Sequence, residues 1–301
     1  MNKHLTRSDY LFALLFLFML VCVVGAFFFG MVTGEKKATA KYESMLAGLS
    51  VDTGDPGAYT QQHLVSFYHT IYVPFTEFAK KWFESKDEIE LGADPSAAFK
   101  ELARLAGEKY DAIANLNLPG SSPLLKESHR NYATSLQRFR ECLEQFQKAA
   151  GPKDGPDLIK QLEASGTFAE ARRLALLAQQ NFYDAMSLWY KAQHPEFNPI
   201  DFAAHPELAP DSWKQFNLLA KNAYIAGLMA ADGIFQPYTP QDLAARVDEF
   251  IDSGQSAKLN LHTIRQIGDL LSGANAVRPG DYVKVKNSRY GREPLPLLPF
   301  F

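Results

Sequence analysis

Residues 123–150 read PLLKESHRNYATSLQRFRECLEQFQKAA, and their apolar side chains recur at alternating steps of four and three. The positions in this stripe are Leu125, His129, Tyr132, Leu136, Phe139, Leu143, Phe146 and Ala150. Such spacing places the stripe on one face of a helix. A seam this regular is typical of helices that pack side by side at small crossing angles. The stretch therefore predicts an all-α domain built as a helical bundle.

Further long amphipathic helices are predicted on both sides of this seam. Their apolar stripes fall within residues 60–83, 95–116 and 167–189, separated by turns rich in proline and glycine. Four such helices predict a four-helix bundle core at residues 58–191. Pro74 lies inside the first stripe, where the missing N–H predicts a kink or a break.

Side chains that cap helices mark where three of these helices begin. Asp94, then Ser121 or Ser122, and then Thr167 each precede an apolar stripe. Glu170 follows Thr167 by three residues, which is the pattern of a capping box. These positions are the predicted N-caps.

Residues 192–275 are predicted to add a Pro-rich loop and three more helices that pack on the bundle. The loop reads AQHPEFNPIDFAAHPELAPDS and contains four prolines. The helices are placed at about residues 212–231, 239–254 and 257–271. The domain is thus expected to contain about six to seven helices.

Residues 276–301 differ in character and are predicted to form an extended C-terminal tail. The segment DYVKVKN alternates as a strand does, which indicates a short β-hairpin. PLPLLPFF then ends the chain and favours a polyproline-like course. This end is either a hydrophobic plug that packs on the bundle or a peptide that docks in a partner's groove. The docking residues would be Pro296, Leu297, Leu298, Pro299, Phe300 and Phe301.

Near the N-terminus, YLFALLFLFMLVCVVGAFFFGMV contains no charged side chain over 23 residues. A helix of this length matches the hydrocarbon thickness of a bilayer. The sequence predicts a transmembrane helix at residues 10–33, with a short tail at 1–9 and a stalk or linker at 34–57. The alternative is a cleaved signal peptide ending at the small-residue motif at 38–40, but the apolar run is longer than a signal-peptide core.

Small residues recur at every fourth position near the end of this apolar run, at Ala26, Gly30 and Gly34. Spacing of this kind lets two membrane helices approach closely, so it suggests a homodimer. The alternative is that small residues are simply common in membrane helices.

Composition narrows the function classes. The formal net charge of −3 gives no basic excess of the kind that nucleic-acid partners require. The two cysteines, Cys22 and Cys142, exclude a cysteine-based metal site and argue against an intramolecular disulfide. Basic residues flank both ends of the apolar run, so the positive-inside rule does not decide its orientation. Resemblance to an uncleaved signal anchor favours a domain outside a bacterial cytoplasmic membrane.

Motifs of catalysis and cofactor binding are missing from the sequence. It contains no phosphate-binding loop, dinucleotide fingerprint, nucleophile elbow or H-E-x-x-H pair. The near-repeat of His-Pro-Glu places His194 and Glu196 eleven residues before His205 and Glu207. If the loop folded back, these four could bind zinc or another divalent ion. The alternative is two surface turns, and no cofactor is predicted.

The first helix carries too many aromatic side chains for one buried stripe. They are Tyr59, Phe67, Tyr68, Tyr72, Phe75, Phe78, Trp82 and Phe83. Some must therefore face a ligand cleft or a partner groove, unless the later helices cover them.

Together these features favour a non-enzymatic scaffold or interaction module, anchored by one membrane helix among other envelope proteins. The second hypothesis is a sensory or small-ligand-binding bundle with a cleft between the kinked first helix and the Pro-rich loop. An envelope enzyme with dispersed catalytic residues is the third.

Overall fold

Helices build the domain, and the described residues contain no β-strand. The structure is a computed structural model that describes residues 59–116, 118, 122–149 and 155–301. The prediction of an all-α fold is confirmed for this part of the chain.

The predicted membrane helix at residues 10–33 lies outside the described residues, as do its flanking segments and Ala26, Gly30 and Gly34. Within the part of the chain that the structure describes, no helix is both long and apolar enough to cross a membrane.

The helices between residues 61 and 193 form what we call the first layer. They are α1 (Gln61–Phe67), a π-helical segment (Tyr68–Tyr72), α2 (Val73–Glu90), α3 (Pro95–Ala114), α4 (Pro123–Ala149), α5 (Gly155–Ala164) and α6 (Gly166–Gln193). The seam helix α4 packs most extensively against α6 and α3. Aromatic rings bring the first helices against α6, with centroids 4.8 Å apart for Phe67 and Phe182 and 5.0 Å apart for Trp82 and Phe168. The predicted helical bundle is therefore confirmed.

Pro74 neither ends nor breaks the first helix. Because it has no N–H to donate to Thr70, the backbone widens into the π-helical segment, where the Val73 N–H donates to the Tyr68 carbonyl. This segment stacks the rings of Tyr68 and Tyr72, whose centroids lie 5.7 Å apart. The helix continues as α2, and Phe67 before the π-helical segment and Phe75 and Phe78 after it are all buried.

Helix starts agree with the predicted caps at two of three places. The Asp94 carboxylate accepts the Ser96 N–H at 3.0 Å, and Ser122 caps α4. The N-cap of α6 is Ser165 rather than Thr167, because the Ser165 backbone is extended and its hydroxyl accepts the Phe168 N–H at 3.3 Å. The capping box predicted at Thr167 was wrong.

The helices after residue 209 form what we call the second layer. They are α7 (Pro210–Trp213), α8 (Leu218–Asp232), α9 (Pro240–Asp252), α10 (Gln255–Lys258), α11 (Ile264–Gly273), α12 (Asp281–Val285) and a second π-helical segment (Lys286–Tyr290). The central helix α8 packs against α6 on one side and α9 on the other. The apolar core of this layer surrounds Trp213, Tyr224 and Leu243.

Two helices predicted as continuous are each divided in two. The first is interrupted where Asn217 caps α8 by accepting the Ala220 N–H at 2.9 Å. The second is interrupted where Thr263 and Gln266 form a capping box at the start of α11. In both places a capping side chain starts a new helix inside one apolar pattern. The period of the pattern does not show where such a break falls.

The predicted β-hairpin near the C-terminus was wrong, because residues 281–290 are helical. Tyr282 and Val285 pack on the same side while Val283 is 62% exposed, which is the spacing of a helix. The Tyr282 N–H donates to the Asp242 carboxylate, in the first turn of α9, at 3.0 Å. This backbone N–H is therefore satisfied without a neighbouring strand.

Candidate functional site

Helix α2 has two apolar faces, and only the first lies entirely within the core. Phe78 and Trp82 lie on the first face and are completely buried in the first layer. The second face runs from Tyr72 through Ala79 to Phe83 and looks toward the second layer. The spacing of three to four places these residues in one row along the helix. This row forms one wall of a cavity.

The cavity has a volume of about 630 Å³, and we call it the apolar cavity. Its apolar wall includes Phe75, Ala79, Leu176, Met229, Ile234 and Phe235. Ligand pockets in proteins typically measure roughly 300–1,000 Å³ and are lined mainly by apolar and aromatic side chains. The apolar cavity has both properties.

Residues 234–239, which connect α8 to α9, form the opposite wall, and we call them the strap. The strap begins where Gly233 adopts a left-handed conformation with φ 67°, and the Ile234 N–H donates to the Met229 carbonyl at 2.9 Å. The ring of Phe235 then packs on Phe83, with centroids 5.2 Å apart. The Tyr238 hydroxyl donates to Ser272 at 2.8 Å. The strap is thus held at both ends and along its length.

Tyrosine hydroxyls connect one end of the apolar cavity to both layers. Tyr72 and Tyr132 line the cavity and are almost fully buried. Tyr72 is hydrogen-bonded to Tyr183, whose hydroxyl donates to Gln241 of α9. Burial raises the pKa of Tyr72 and of Tyr132, so both phenols are neutral at physiological pH. They can donate or accept a hydrogen bond but do not act as bases.

Charged side chains line the outer edge of the apolar cavity. Glu77 is paired with Lys109 of α3, and Lys80 lies 3.9 Å from Glu84 in the next turn. The residues that line this cavity include no histidine or cysteine. The arrangement fits binding of an apolar group and offers no nucleophile with an adjacent base.

A second cavity of about 650 Å³ follows the first along α2, and we call it the charged cavity. The two cavities share Phe83, Asp87 and residues 234–237. Lys86 in the charged cavity is paired with Glu163 at 2.6 Å. Arg172 of α6 lines the same cavity and is half-buried.

The most polar buried cluster lies elsewhere, around Asp248 of α9. This carboxylate accepts the Trp213 indole N–H at 2.7 Å, the Lys221 ammonium at 2.9 Å and the Tyr290 hydroxyl at 2.5 Å. The pair of Lys221 and Asp248 is 10% and 5% exposed at the side chains. None of these four residues lines either cavity, so we assign the cluster to the packing of the second layer.

The four residues of the predicted metal site lie in two turns. His194 stacks on Tyr190 with ring centroids 4.2 Å apart, and its Nδ1 lies 3.5 Å from Glu196. His205 and Glu207 are exposed. No three His, Cys, Asp or Glu side chains of the described residues are grouped in a way that could hold a metal ion. The structure therefore does not bring these four together.

The predicted docking tail lies on the chain's own helices. Pro296 and Leu298 are buried, whereas Leu297 is 80% exposed. Phe300 packs on Tyr68 with ring centroids 5.3 Å apart. The Lys286 ammonium donates to the carbonyl of Phe301 at 2.9 Å. Two tight turns replace a continuous polyproline course, and the docking of this tail to a partner stays a prediction.

The sequence indicated the α2 wall of the candidate site but not the opposite wall. The excess of aromatic residues in the first helix marked the wall that carries Tyr72 and Phe83. The Pro-rich loop was expected to face it, but the strap does so instead. Pro237 and the turn at Gly233 were the available signs of the strap, and neither shows from sequence which helix it will cross.

Comparison with protein-family models, with curated proteins and with solved structures gave no match.

Proposed function

We propose that this protein is a non-enzymatic binding protein whose helical domain holds an apolar ligand in the apolar cavity. One observation carries the proposal: the side of α2 that carries Ala79 and Phe83 borders a cleft of about 630 Å³ whose wall is mainly apolar. A cleft of this size with a mainly apolar and aromatic wall is typical of a ligand-binding site.

The predicted membrane helix at residues 10–33 is part of the proposal. A domain tethered to a bilayer has apolar molecules within reach, and a binding domain needs no reaction machinery. The function is thus a membrane-tethered ligand-binding bundle, which the sequence ranked second. The function that the sequence favours first is a scaffold. The exposed apolar residues of the described chain do not favour it further, so its support comes from sequence alone.

A cavity-filling variant tests the proposal. Ala79 lines the apolar cavity, and Ala79→Trp would occupy part of its space. The full-length chain is placed in lipid nanodiscs, and binding of the neutral fluorophore N-phenyl-1-naphthylamine is measured with empty nanodiscs subtracted. We expect saturable binding to the wild type, weakened about tenfold or more in Ala79→Trp because the ligand's apolar contacts are lost.

The matched control is Ala97→Trp, which makes the same change at an exposed position of α3. It should bind the fluorophore as the wild type does. Absence of saturable binding to the wild type, or equal loss in both variants, would contradict the proposed site.

A further inference from the structure

We infer that the ligand is a single-chain amphiphile with an anionic head, whose chain lies in the apolar cavity and whose head lies in the charged cavity. The inference rests on the proposed function and goes further by naming the chemical class of the ligand.

The two cavities adjoin along one helix and overlap between residues 82 and 87. The apolar cavity follows α2 and its π-helical start from Tyr72 to Asp87, and the charged cavity follows it from Trp82 to Glu90. Since a helix rises 1.5 Å per residue, this path is about 27 Å long. A molecule that occupies both cavities is therefore long and narrow.

The strap lies where the two cavities adjoin, and the cavity walls on its two sides differ in polarity. Phe235 and Ile234 line both cavities. On one side the wall is mainly apolar, and on the other it contains Lys86, Arg172 and Arg278 together with Asp87 and other acidic residues. The ligand should match that division, with an apolar chain joined to a charged head.

Arg172 decides the sign of the head. It lines the charged cavity, is half-buried, and makes no hydrogen bond or ion pair with any residue that the structure describes. Its Nη2 lies 3.8 Å from where a Cβ on Gly233 would stand, so the guanidinium is beside the start of the strap. A guanidinium that is partly shielded from water is stabilised by charged acceptors, and it binds carboxylate or phosphate oxygens in a bidentate geometry.

The other charges of this cavity are either paired or hydrated. Lys86 and Glu163 neutralise each other at 2.6 Å. Asp87, Glu90 and Arg278 are exposed, and water solvates them. Arg172 is the least exposed of the charges in this cavity that lack a partner among the described residues. An anionic head would supply the acceptor that its guanidinium lacks.

The test compares two ligands that differ only in the head. Radiolabelled hexadecanoate and hexadecanol are bound to the full-length chain in nanodiscs of zwitterionic lipid, with empty nanodiscs subtracted. We expect the acid to bind about tenfold or more tightly than the alcohol, since hydrogen bonds to a charged group are the stronger ones. Arg172→Gln should remove that preference and leave the affinity for the alcohol unchanged.

The neighbouring Arg173 is exposed and lines neither cavity, so Arg173→Gln is the matched control and should keep the preference for the acid. Lysophosphatidate is added as a competitor, because carboxylate and phosphate heads have different sources. Displacement of the acid by it assigns the site to phosphate as well, and lack of displacement assigns it to carboxylate; both results keep an anionic head.

The outcomes separate this inference from the proposed function. If the alcohol binds as tightly as the acid, or if Arg172→Gln weakens both equally, the anionic head is wrong while the apolar site stands. If neither ligand binds the wild type, the proposed function fails.

Discussion

The two layers bury different kinds of side chains. In the first layer the core is a seam of Phe, Leu and Tyr residues, and its buried polar groups are serines and one asparagine, Asn131. In the second layer Lys221, Asp242, Asp248 and Asp281 are all buried. The comparison shows that the first layer relies almost entirely on periodic apolar packing, whereas the second adds polar contacts between distant residues to its apolar core. The proposed ligand site lies where the two meet.

Breaking the polar cluster of the second layer should have the largest effect. Asp248→Ala leaves the Lys221 ammonium and the Trp213 N–H without their acceptor. Removal of one partner from a buried ion pair costs about 3–5 kcal/mol, so we expect the free energy of unfolding to fall by about 4 kcal/mol. Urea unfolding followed by circular dichroism measures it.

The double variant Lys221→Met with Asp248→Leu is the control for this experiment. It removes both charges and should recover part of the loss, because Lys221 no longer leaves an unpaired charge, while the Trp213 N–H and the Tyr290 hydroxyl still lack their acceptor. If the double variant is less stable than Asp248→Ala, the polar cluster does not act as a charge pair.

A truncation in the apolar seam should cost slightly less. Leu136 is completely buried on α4, and Leu136→Ala should lower the free energy of unfolding by about 3 kcal/mol through lost burial and a cavity. Leu270→Ala, at a position that is 40% exposed, is the matched control and should cost under about 1 kcal/mol. Equal losses in the two variants would contradict the assignment of the seam as the core.

The contact between the layers contains a carboxyl with a shifted pKa. Burial, and then the nearby Asp201, raise the pKa of Asp184 on α6 to about 7. The folded state therefore binds a proton more tightly than the unfolded state, and this contribution to stability is lost as the pH rises from about 4 to about 7. Asp184→Asn should be more stable than the wild type by about 2 kcal/mol at about pH 8.

At about pH 3.5 the same substitution should change stability little, because the carboxyl is then largely protonated in both the folded and the unfolded state. Urea unfolding of both proteins at the two pH values checks this. A constant difference between them across the pH range would show that the Asp184 carboxyl does not titrate in this window.

The C-terminal tail contacts both layers, and truncation of one of its rings should have the smallest effect. Phe300 packs on Tyr72 of the first layer, and Phe301 packs on Tyr282 of the second. Because Phe300 is only partly buried, Phe300→Ala should cost about 1 kcal/mol. Leu297→Ala, at an exposed position of the same tail, should leave the thermal midpoint unchanged; a shift as large as that of Phe300→Ala would argue against docking of the tail through its rings.

Most of the first layer could be predicted from sequence, and the reason is physical. A stripe such as that of Leu136 and Phe139 repeats with the period of a helix, so position along the chain determines which face is buried. Asp94 and Ser122 capped their helices as predicted because the capping bond is local. The boundary of α6 moved by two residues because Ser165 and Thr167 compete for the same role.

The second layer and half of the site could not be predicted because their contacts join residues far apart in sequence. Asp242 accepts the backbone N–H of Tyr282, 40 residues away, in the helix that stands where a strand was predicted. Phe235 packs on Phe83 in the wall that the two cavities share. No local pattern specifies such pairs, whereas the surplus of aromatic residues near Tyr72 and Phe83 did indicate that one face of the first helix was unaccounted for.

The most direct test of the account is photo-crosslinking with a hexadecanoate that carries a diazirine near the end of its chain. The full-length protein in nanodiscs is irradiated, and the labelled peptides are identified by mass spectrometry. We predict labels on the face of α2 that carries Ala79 and Phe83 and on the strap at residues 234–239, with loss of both in Ala79→Trp. Labels confined to other surfaces, or unchanged in Ala79→Trp, would contradict a ligand site between the two layers.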